Sequence, residues 1–306
     1  MISIEHAQEQ SKLNAFILAA RPKTLAAAFV PILVATAVAY SELKTNDIKV
    51  QWSLSLFALL SSIFIQIGTN FVNDAIDFNK GADNEKRIGP KRMTQSGLLS
   101  ARQVLFGGFC CFLLASIFGI PLIVSGGFPI LIVGMISIIC GYIYTGGPYP
   151  LAYKGLGELF VILFFGIVAV LGVYYLQTNS IHLHAFIASL QIGFLATVLI
   201  SINNFRDSIE DKKVHKMTLA AIFGKKFARL EIASLFSFAY LLNIYWYLNG
   251  YIFVALLPLI SMPLAIYVTR GLIVNEPSPL FNKFLGMSAA VQMLFGIFMS
   301  IGFFIR

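Results

Sequence analysis

Charge is the scarcest feature of this 306-residue chain. Only 12% of its residues are Asp, Glu, Lys or Arg, while 58% are hydrophobic. A soluble domain of this length could not cover its surface with so few charges, so a water-soluble globular fold is excluded. Cysteine is nearly as rare. Cys110, Cys111 and Cys140 all lie in apolar stretches, which argues against a disulfide framework or zinc cluster and leaves them as packing residues. Histidine says little: His182 and His184 are two apart, so a helix would point them in different directions, and His215 is expected to be solvated. The polar start, MISIEHAQEQSKLNAF, lacks a basic n-region, an apolar core and a small-residue cleavage site. The first apolar segment is therefore expected to stay in the protein. Net charge is +8, but no nucleic-acid motif interrupts the apolar runs. The surplus reads as basic loops beside anionic lipid headgroups, with the bilayer and not nucleic acid as partner.

Long apolar runs fill the rest. A bilayer crossing takes about 20 apolar residues. Nine such stretches are present, roughly 24–41, 52–73, 103–124, 128–146, 155–176, 183–204, 228–248, 251–270 and 284–305. Turn-forming residues separate them: Ser125-Gly126-Gly127, Gly146-Gly147-Pro148, Asn249-Gly250 and Pro277-Ser278-Pro279. The third and fourth stretches, and the seventh and eighth, are joined by very short links, so each pair is expected to form a tight hairpin. The expected fold is an all-α polytopic membrane protein, nine helices in one bundle around a central cavity.

Charge sets the orientation. With nine crossings, the N-terminus and the even-numbered loops share a side. That side holds every Lys and Arg except Lys44, Lys49 and Arg306. The asymmetry predicts an N-terminus in the cytoplasm, a C-terminus outside and residence in the cytoplasmic membrane. The two longest loops, near 74–102 and 205–227, fall on the cytoplasmic side. No other connection leaves room for a further domain, so residues 1–306 read as one.

Acidic residues gather at two places. Asp74, Asp77 and Asp83 follow the second stretch in NFVNDAIDFNKGAD; Asp207 and Asp211 follow the sixth in SINNFRDSIED. Continued as helices, these segments put Asn73 and Asp77 on one face, Asn70 and Asp74 on the adjacent line, and Asn203, Asp207 and Asp211 in one stripe. An Asn-x-x-x-Asp unit thus recurs in each half, at 70–83 and 203–211, which suggests a pseudo-repeat. An Asp near the bilayer centre costs about 2.5–3.5 kcal/mol on insertion scales, so these carboxylates must face a wet cavity near an interface. Converging carboxylates repel unless cations intervene. Asp and Asn, without Cys or His, offer only oxygen, which suits Mg²⁺, and two such clusters with two ions would cradle a diphosphate.

Basic residues flank both motifs: Lys86, Arg87, Lys91 and Arg92 after the first; Arg206, Lys212, Lys213 and Lys216 around the second. Lys212, Lys213, Lys225, Lys226 and Arg229 read as ordinary positive-inside charges. Arg206, wedged between Asn204 and Asp207, reads as a phosphate clamp. Lys216 and the run Gly89–Arg92, with Lys91 and Arg92, fit either role.

At these residues the sequence resembles the UbiA superfamily of intramembrane aromatic prenyltransferases, and within it the branch acting on 1,4-dihydroxy-2-naphthoate. The similarity covers nearly the whole chain: RPKTL (21–25), NDAIDFNKGADNEKRIGPKR (73–92), YTGGPYPLAYKGLGE (144–158) and NNFRDSIEDKKVHKMTLA (203–220). One departure stands out. Where the general pattern often has a third Asp, this chain has Gly81, and Asp83 follows instead. That GxD variant, followed by RIGP, resembles the naphthoate branch, and it leaves Asp83 without an assigned role.

The resemblance implies nine helices around a cavity open sideways to lipid. It implies Mg²⁺ held by Asn73, Asp77, Asp207 and Asp211, with Asp74 and Asn203 nearby, and Arg206, Lys216, Arg92 and Lys91 on the diphosphate. The implied reaction joins a polyprenyl diphosphate to the naphthoate ring, with loss of CO₂, giving demethylmenaquinone and diphosphate. Asp77, Asp207 and Asp211 would assist departure of the diphosphate. Tyr142, Tyr144, Tyr149 and Tyr153 cluster near Lys154 and Glu158. Tyr144 and Tyr153 would line the aromatic substrate's side, where ring faces stabilise an allylic cation. Lys154 would take the naphthoate carboxylate, and Glu158 would accept a proton or orient Lys154. Lys23 would be a second anion contact. The plainer reading of the tyrosines, Lys154 and Lys23 is an interfacial belt with snorkelling lysines.

Other readings remain. Repeats and intramembrane acids also mark secondary transporters, although here the acids sit at helix ends beside basic loops. The DG-x-x-AR motif of phosphatidyl-alcohol transferases is absent. Within the superfamily, 4-hydroxybenzoate, homogentisate and haem are alternative acceptors.

Overall fold

The computed structural model describes residues 12–45, 49–83, 88–90 and 92–306, the side chains of Lys23 and Thr45 excepted. Every regular element among them is helical. A helix at 12–19 and a 3₁₀ turn at Pro22–Thr24 lead into eight helices long and apolar enough to cross a membrane. These are α1 (Ala26–Thr45), α2 (Trp52–Asn79), α3 (Ala101–Ile143), α4 (Gly157–Thr178), α5 (Leu183–Lys213), α6 (Leu219–Leu248), α7 (Ile252–Val274) and α8 (Phe281–Phe304).

The sequence places two helices where α3 spans 43 residues. A straight helix of that length would reach about 65 Å, twice the roughly 30 Å of a bilayer's apolar core. But α3 is not straight. Gly127 leaves the helical region at φ 66° and ψ −154°, a conformation glycine adopts without penalty. Pro129 follows at the start of the next turn, where its missing N–H costs nothing. The ring of Phe109 then stacks on that of Tyr142, centroids 6.0 Å apart, whereas a straight helix would hold them about 50 Å apart. α3 is therefore two antiparallel arms meeting at the predicted Ser125-Gly126-Gly127 turn. The other expected hairpin, between α6 and α7, turns at Gly250 with φ 78°.

Both acid-bearing helices outrun their apolar stretches. α2 continues to Asn79 and α5 to Lys213, so the connections after them are shorter than the sequence suggests, and the acidic residues stand on helix. α6 opens with a short helical segment whose Ala221 N–H is capped by the Thr218 side chain, and it breaks at Gly224, φ 80° and ψ −176°, before its apolar run.

Large apolar side chains such as Phe106, Leu113 and Phe128 cover the outside of the bundle, the face lipid covers. Tyr174, Trp246, Phe281, Phe295 and Phe303 fill the inside. Gln191 on α5 ties α6 inward: its amide donates to Ala239 O and Asn243 Oδ1, and its oxygen accepts from Trp246 Nε1. α4 carries a π-helical turn at Ile162–Val168. There Gly166 lies so close to α5 that an added Cβ would sit 2.5 Å from Ser189 O, the small-residue contact that lets membrane helices touch. The chain's two described ends lie at opposite ends of α1. Asn70 Nδ2 donates to Ala20 O at one, and Lys44 Nζ donates to Arg306 O at the other.

Candidate functional site

The two acidic helix ends meet. Lys216, just beyond α5, places its Nζ 3.3 Å from Asp77 Oδ2 and 3.9 Å from Asp211 Oδ1. The carboxylates of the two motifs thus lie within about 7 Å of each other, near enough to share a divalent cation and its waters. A backbone bond fixes the approach: Met217 N–H donates to Tyr153 O in the 3₁₀ turn Leu151–Lys154. The Tyr153 hydroxyl in turn donates to Asp77 Oδ1 at 2.8 Å. Burial first, and the Asp77 charge next, push the Tyr153 pKa upward, so the phenol stays a donor.

Asp74, Asp77, Asp83, Asp207 and Asp211 are all buried, and buried carboxylates need partners. Their partners differ. Asp83 pairs with Arg92 at 3.4 Å, which gives Asp83 the role the sequence left open. It also ties Arg92, expected on the diphosphate, to the loop. Asp74, expected among the metal ligands, spends its oxygens on the backbone N–H groups of Met93 and Thr94, each at 3.2 Å. Its geometry is that of a loop anchor. Asn73 faces the site and accepts from Thr145 Oγ1 at 2.7 Å. Lys80 Nζ donates to Thr145 O and stands 4.3 Å from the centre of the Tyr153 ring. Burial lowers the Lys80 pKa, Asp77 opposes that shift and Lys216 adds to it.

Arg206 differs most from expectation. Nε and Nη2 donate to the two oxygens of Asp207 at 2.8 and 2.6 Å, Nη2 also to Asn203 Oδ1 at 2.6 Å, and Nη1 to Asn282 Oδ1 at 2.7 Å. Those bonds take most of what a guanidinium can donate. Arg206 is fully buried and holds Asn203 and Asp207 in place while tying α5 to α8.

Lys154 and Glu158 do not meet in the expected way. Lys154 is exposed, its ammonium 5.4 Å from the Tyr149 ring. Glu158 is buried and accepts from Asn204 Nδ2 at 2.7 Å. Four residues along a chain that passes through a 3₁₀ turn and Gly155 at φ 69° do not share a helical face. Lys91 and the Lys23 side chain lie outside the described residues. Thr145 and Asn204, inside the segments that carry the resemblance but given no role there, and Asn282, outside those segments, belong to the site's bonding. Lys80, one turn past Asp77, was the one such partner the spacing could have flagged.

An apolar cavity of about 330 Å³ opens between the helices. α1, α2, both arms of α3 and α4 line it, and Tyr144 is among its wall residues. On α2 the wall is Ala58, Ser61, Ser62, Ile65, Gln66 and Thr69, a helical stripe whose next steps are Asn73 and Asp77. The cavity therefore runs along one face of α2 toward the acidic end. Gly172 on α4 also lines it, and a Cβ there would meet nothing within 4 Å. Gly172→Phe is expected to fill the far part of the cavity without disturbing the helix. Turnover with long polyprenyl diphosphates should fall at least about 10-fold, a loss of about 1.4 kcal/mol, while a short prenyl donor is still used. Product lengths by mass spectrometry check this; an unchanged profile would detach the tail from this cavity.

The UbiA prenyltransferase family matches residues 28–289. The chain belongs to that family and is an integral multi-pass membrane protein. The 1,4-dihydroxy-2-naphthoate octaprenyltransferase of Haemophilus influenzae is 34% identical over 305 residues, covering 95% of this chain and 97% of that protein. The Bacillus subtilis protein of the same name is 32% identical, covering 93% and 90%. Among solved structures, a UbiA homolog from Archaeoglobus fulgidus bound to DMAPP and Mg²⁺ superposes with a TM-score of 0.60 at 16% identity, over 94% of this chain and 99% of that one. That likeness is one of fold.

Proposed function

We propose that this enzyme transfers a polyprenyl group from its diphosphate to 1,4-dihydroxy-2-naphthoate with loss of CO₂, giving diphosphate and the prenylated hydroquinone, demethylmenaquinol, the reduced form of demethylmenaquinone. The observation that carries the reading is the pairing of Asp77 and Asp211 through Lys216 beside an apolar cavity. A charged head and a long apolar tail each have a matching place. The acceptor comes from the relatives named for the naphthoate reaction.

Asn73, Asp77, Asn203, Asp207 and Asp211 offer only oxygen donors, and their crowding of buried negative charge fits Mg²⁺. We infer two ions, one per motif. When bound, Mg²⁺ supplies Lewis acidity that neutralises the departing diphosphate. Lys216 adds positive charge at the same place, and Arg206 fixes the directions of Asp207 and Asn203. Tyr153 holds Asp77. Tyr144, on the cavity wall, offers a ring to the positive charge that develops on the prenyl C1, whereas the Tyr153 ring already carries the Lys80 ammonium. The apolar walls keep water from that carbon, which is left for the naphthoate ring. Residues 70–83 and 203–211 act as the two halves of one pseudo-repeat in a single domain.

Nine crossings follow from counting the two arms of α3 separately. They agree with described ends that lie at opposite ends of α1. From the excess of Lys and Arg in the connections that follow the acidic helices in the sequence, we infer that this end faces the cytoplasm.

The test is purified protein supplied with polyprenyl diphosphate, Mg²⁺ and a choice of acceptors. Of the acceptors, dihydroxynaphthoate alone is expected to give product, demethylmenaquinol, which is read as demethylmenaquinone after air oxidation. EDTA should abolish it, and added Mg²⁺ should restore it. Turnover of 4-hydroxybenzoate in its place would reject the acceptor, and full activity in EDTA would reject the metal.

A further inference from the structure

The opposite end of the bundle carries a second cluster. His182 is not helical. It caps α5 with extended backbone, φ −124° and ψ 151°, and its Nδ1 accepts the His184 N–H at 3.2 Å. The two rings that a continuous helix would have pointed apart are therefore neighbours, centroids 4.4 Å apart. Glu42, near the end of α1, joins them: one ligand atom from each of the three residues lies within 4.8 Å of the others.

We propose that Glu42, His182 and His184 form a transition-metal site, with Zn²⁺ the expected occupant. Two imidazoles and a carboxylate make a three-ligand set that zinc accepts with water in the fourth position. The surroundings supply the outer bonds such ligands need. The Tyr174 hydroxyl donates to Glu42 Oε2 at 2.6 Å, and the Tyr251 hydroxyl bonds His184 Nδ1 at 3.2 Å. With His184 Nδ1–H donating to the Tyr251 oxygen, Nε2 carries the lone pair for the metal. His182 contributes one ring nitrogen. Its side chain is exposed, so it can close the remaining distance to a zinc-ligand bond of about 2.0–2.1 Å. The oxygen-only donors at the other end prefer Mg²⁺; this cluster prefers a softer ion. A bound ion would fasten the end of α1 to the start of α5, and through the two tyrosines to α4 and α7.

The test uses full-length protein with any histidine tag removed, in detergent, with Mg²⁺ in excess to occupy the carboxylate site. Co²⁺ is titrated as the spectroscopic stand-in for zinc. One equivalent should give ligand-field absorption that Zn²⁺ abolishes, and Zn²⁺ should raise the unfolding temperature. His182→Ala, at an exposed position, should weaken Co²⁺ binding at least about 100-fold and remove the thermal shift, with prenyl transfer unchanged. Glu42→Gln should weaken it in the same direction. Equal binding by wild type and His182→Ala, or no absorption once Mg²⁺ is in excess, overturns the proposal.

Discussion

Asp77→Asn is expected to cut prenyl transfer at least about 1,000-fold, equivalent to about 4 kcal/mol of transition-state stabilisation, in a protein that still folds and inserts. The replacement keeps the shape of the side chain and can still accept the Tyr153 hydroxyl bond. What it removes is the charge. That charge meets Lys216 at 3.3 Å and lies across from Asp211, where a cation bound with the diphosphate would sit. Lewis-acid stabilisation of a leaving oxyanion is worth several kcal/mol, so the loss belongs in turnover and not in folding. Lys216 keeps Asp211 as an alternative partner at 3.9 Å, which protects the fold. Turnover measured across a range of Mg²⁺ concentrations, with the unfolding temperature beside it, checks both halves. Wild-type turnover would remove Asp77 from the chemistry; a collapsed unfolding temperature would make it a structural residue.

Much of this site was legible in the sequence because helical spacing converts directly into geometry. Asn73 and Asp77, and Asn203, Asp207 and Asp211, stand on helices that outrun the apolar stretches, and Lys216 joins the two sets. The α3 turn was legible as well, since only glycine there tolerates the required backbone. The illegible parts are those set by contacts between distant segments. Asp74 resembled a ligand until the loop carrying Met93 and Thr94 folded over it. Lys154 and Glu158 are near in the chain, but a 3₁₀ turn and a left-handed Gly155 send them to different environments. His182 and His184 show the converse: helical spacing separates their rings, but His182 caps the helix instead of lying in it. Periodicity informs only inside a regular element. At its ends, side-chain direction follows the cap.

Arg206 is where sequence and structure imply opposite experiments. If it clamped the diphosphate, Arg206→Met would raise KM for the donor and leave stability alone. Its bonds predict something else. The guanidinium is buried and holds Asp207 through two bonds, Asn203 through a third and Asn282 on α8 through a fourth. Removing it strips the buried Asp207 carboxylate of this cation, and breaking a buried pair from one side costs about 3–5 kcal/mol. Arg206→Met is therefore expected to lower the unfolding temperature steeply and to lose activity with it. The pair Arg206→Met/Asp207→Asn separates the two causes, because neutralising the carboxylate removes the penalty that the first change created. The double variant should regain much of the lost stability and none of the activity. Coupling of this kind between contacting residues is what a double-mutant cycle measures. A stable single variant with only a raised KM would return Arg206 to the phosphate. A destabilised single variant whose stability the second change restores would make it the residue that holds Asp207 and Asn203 in place.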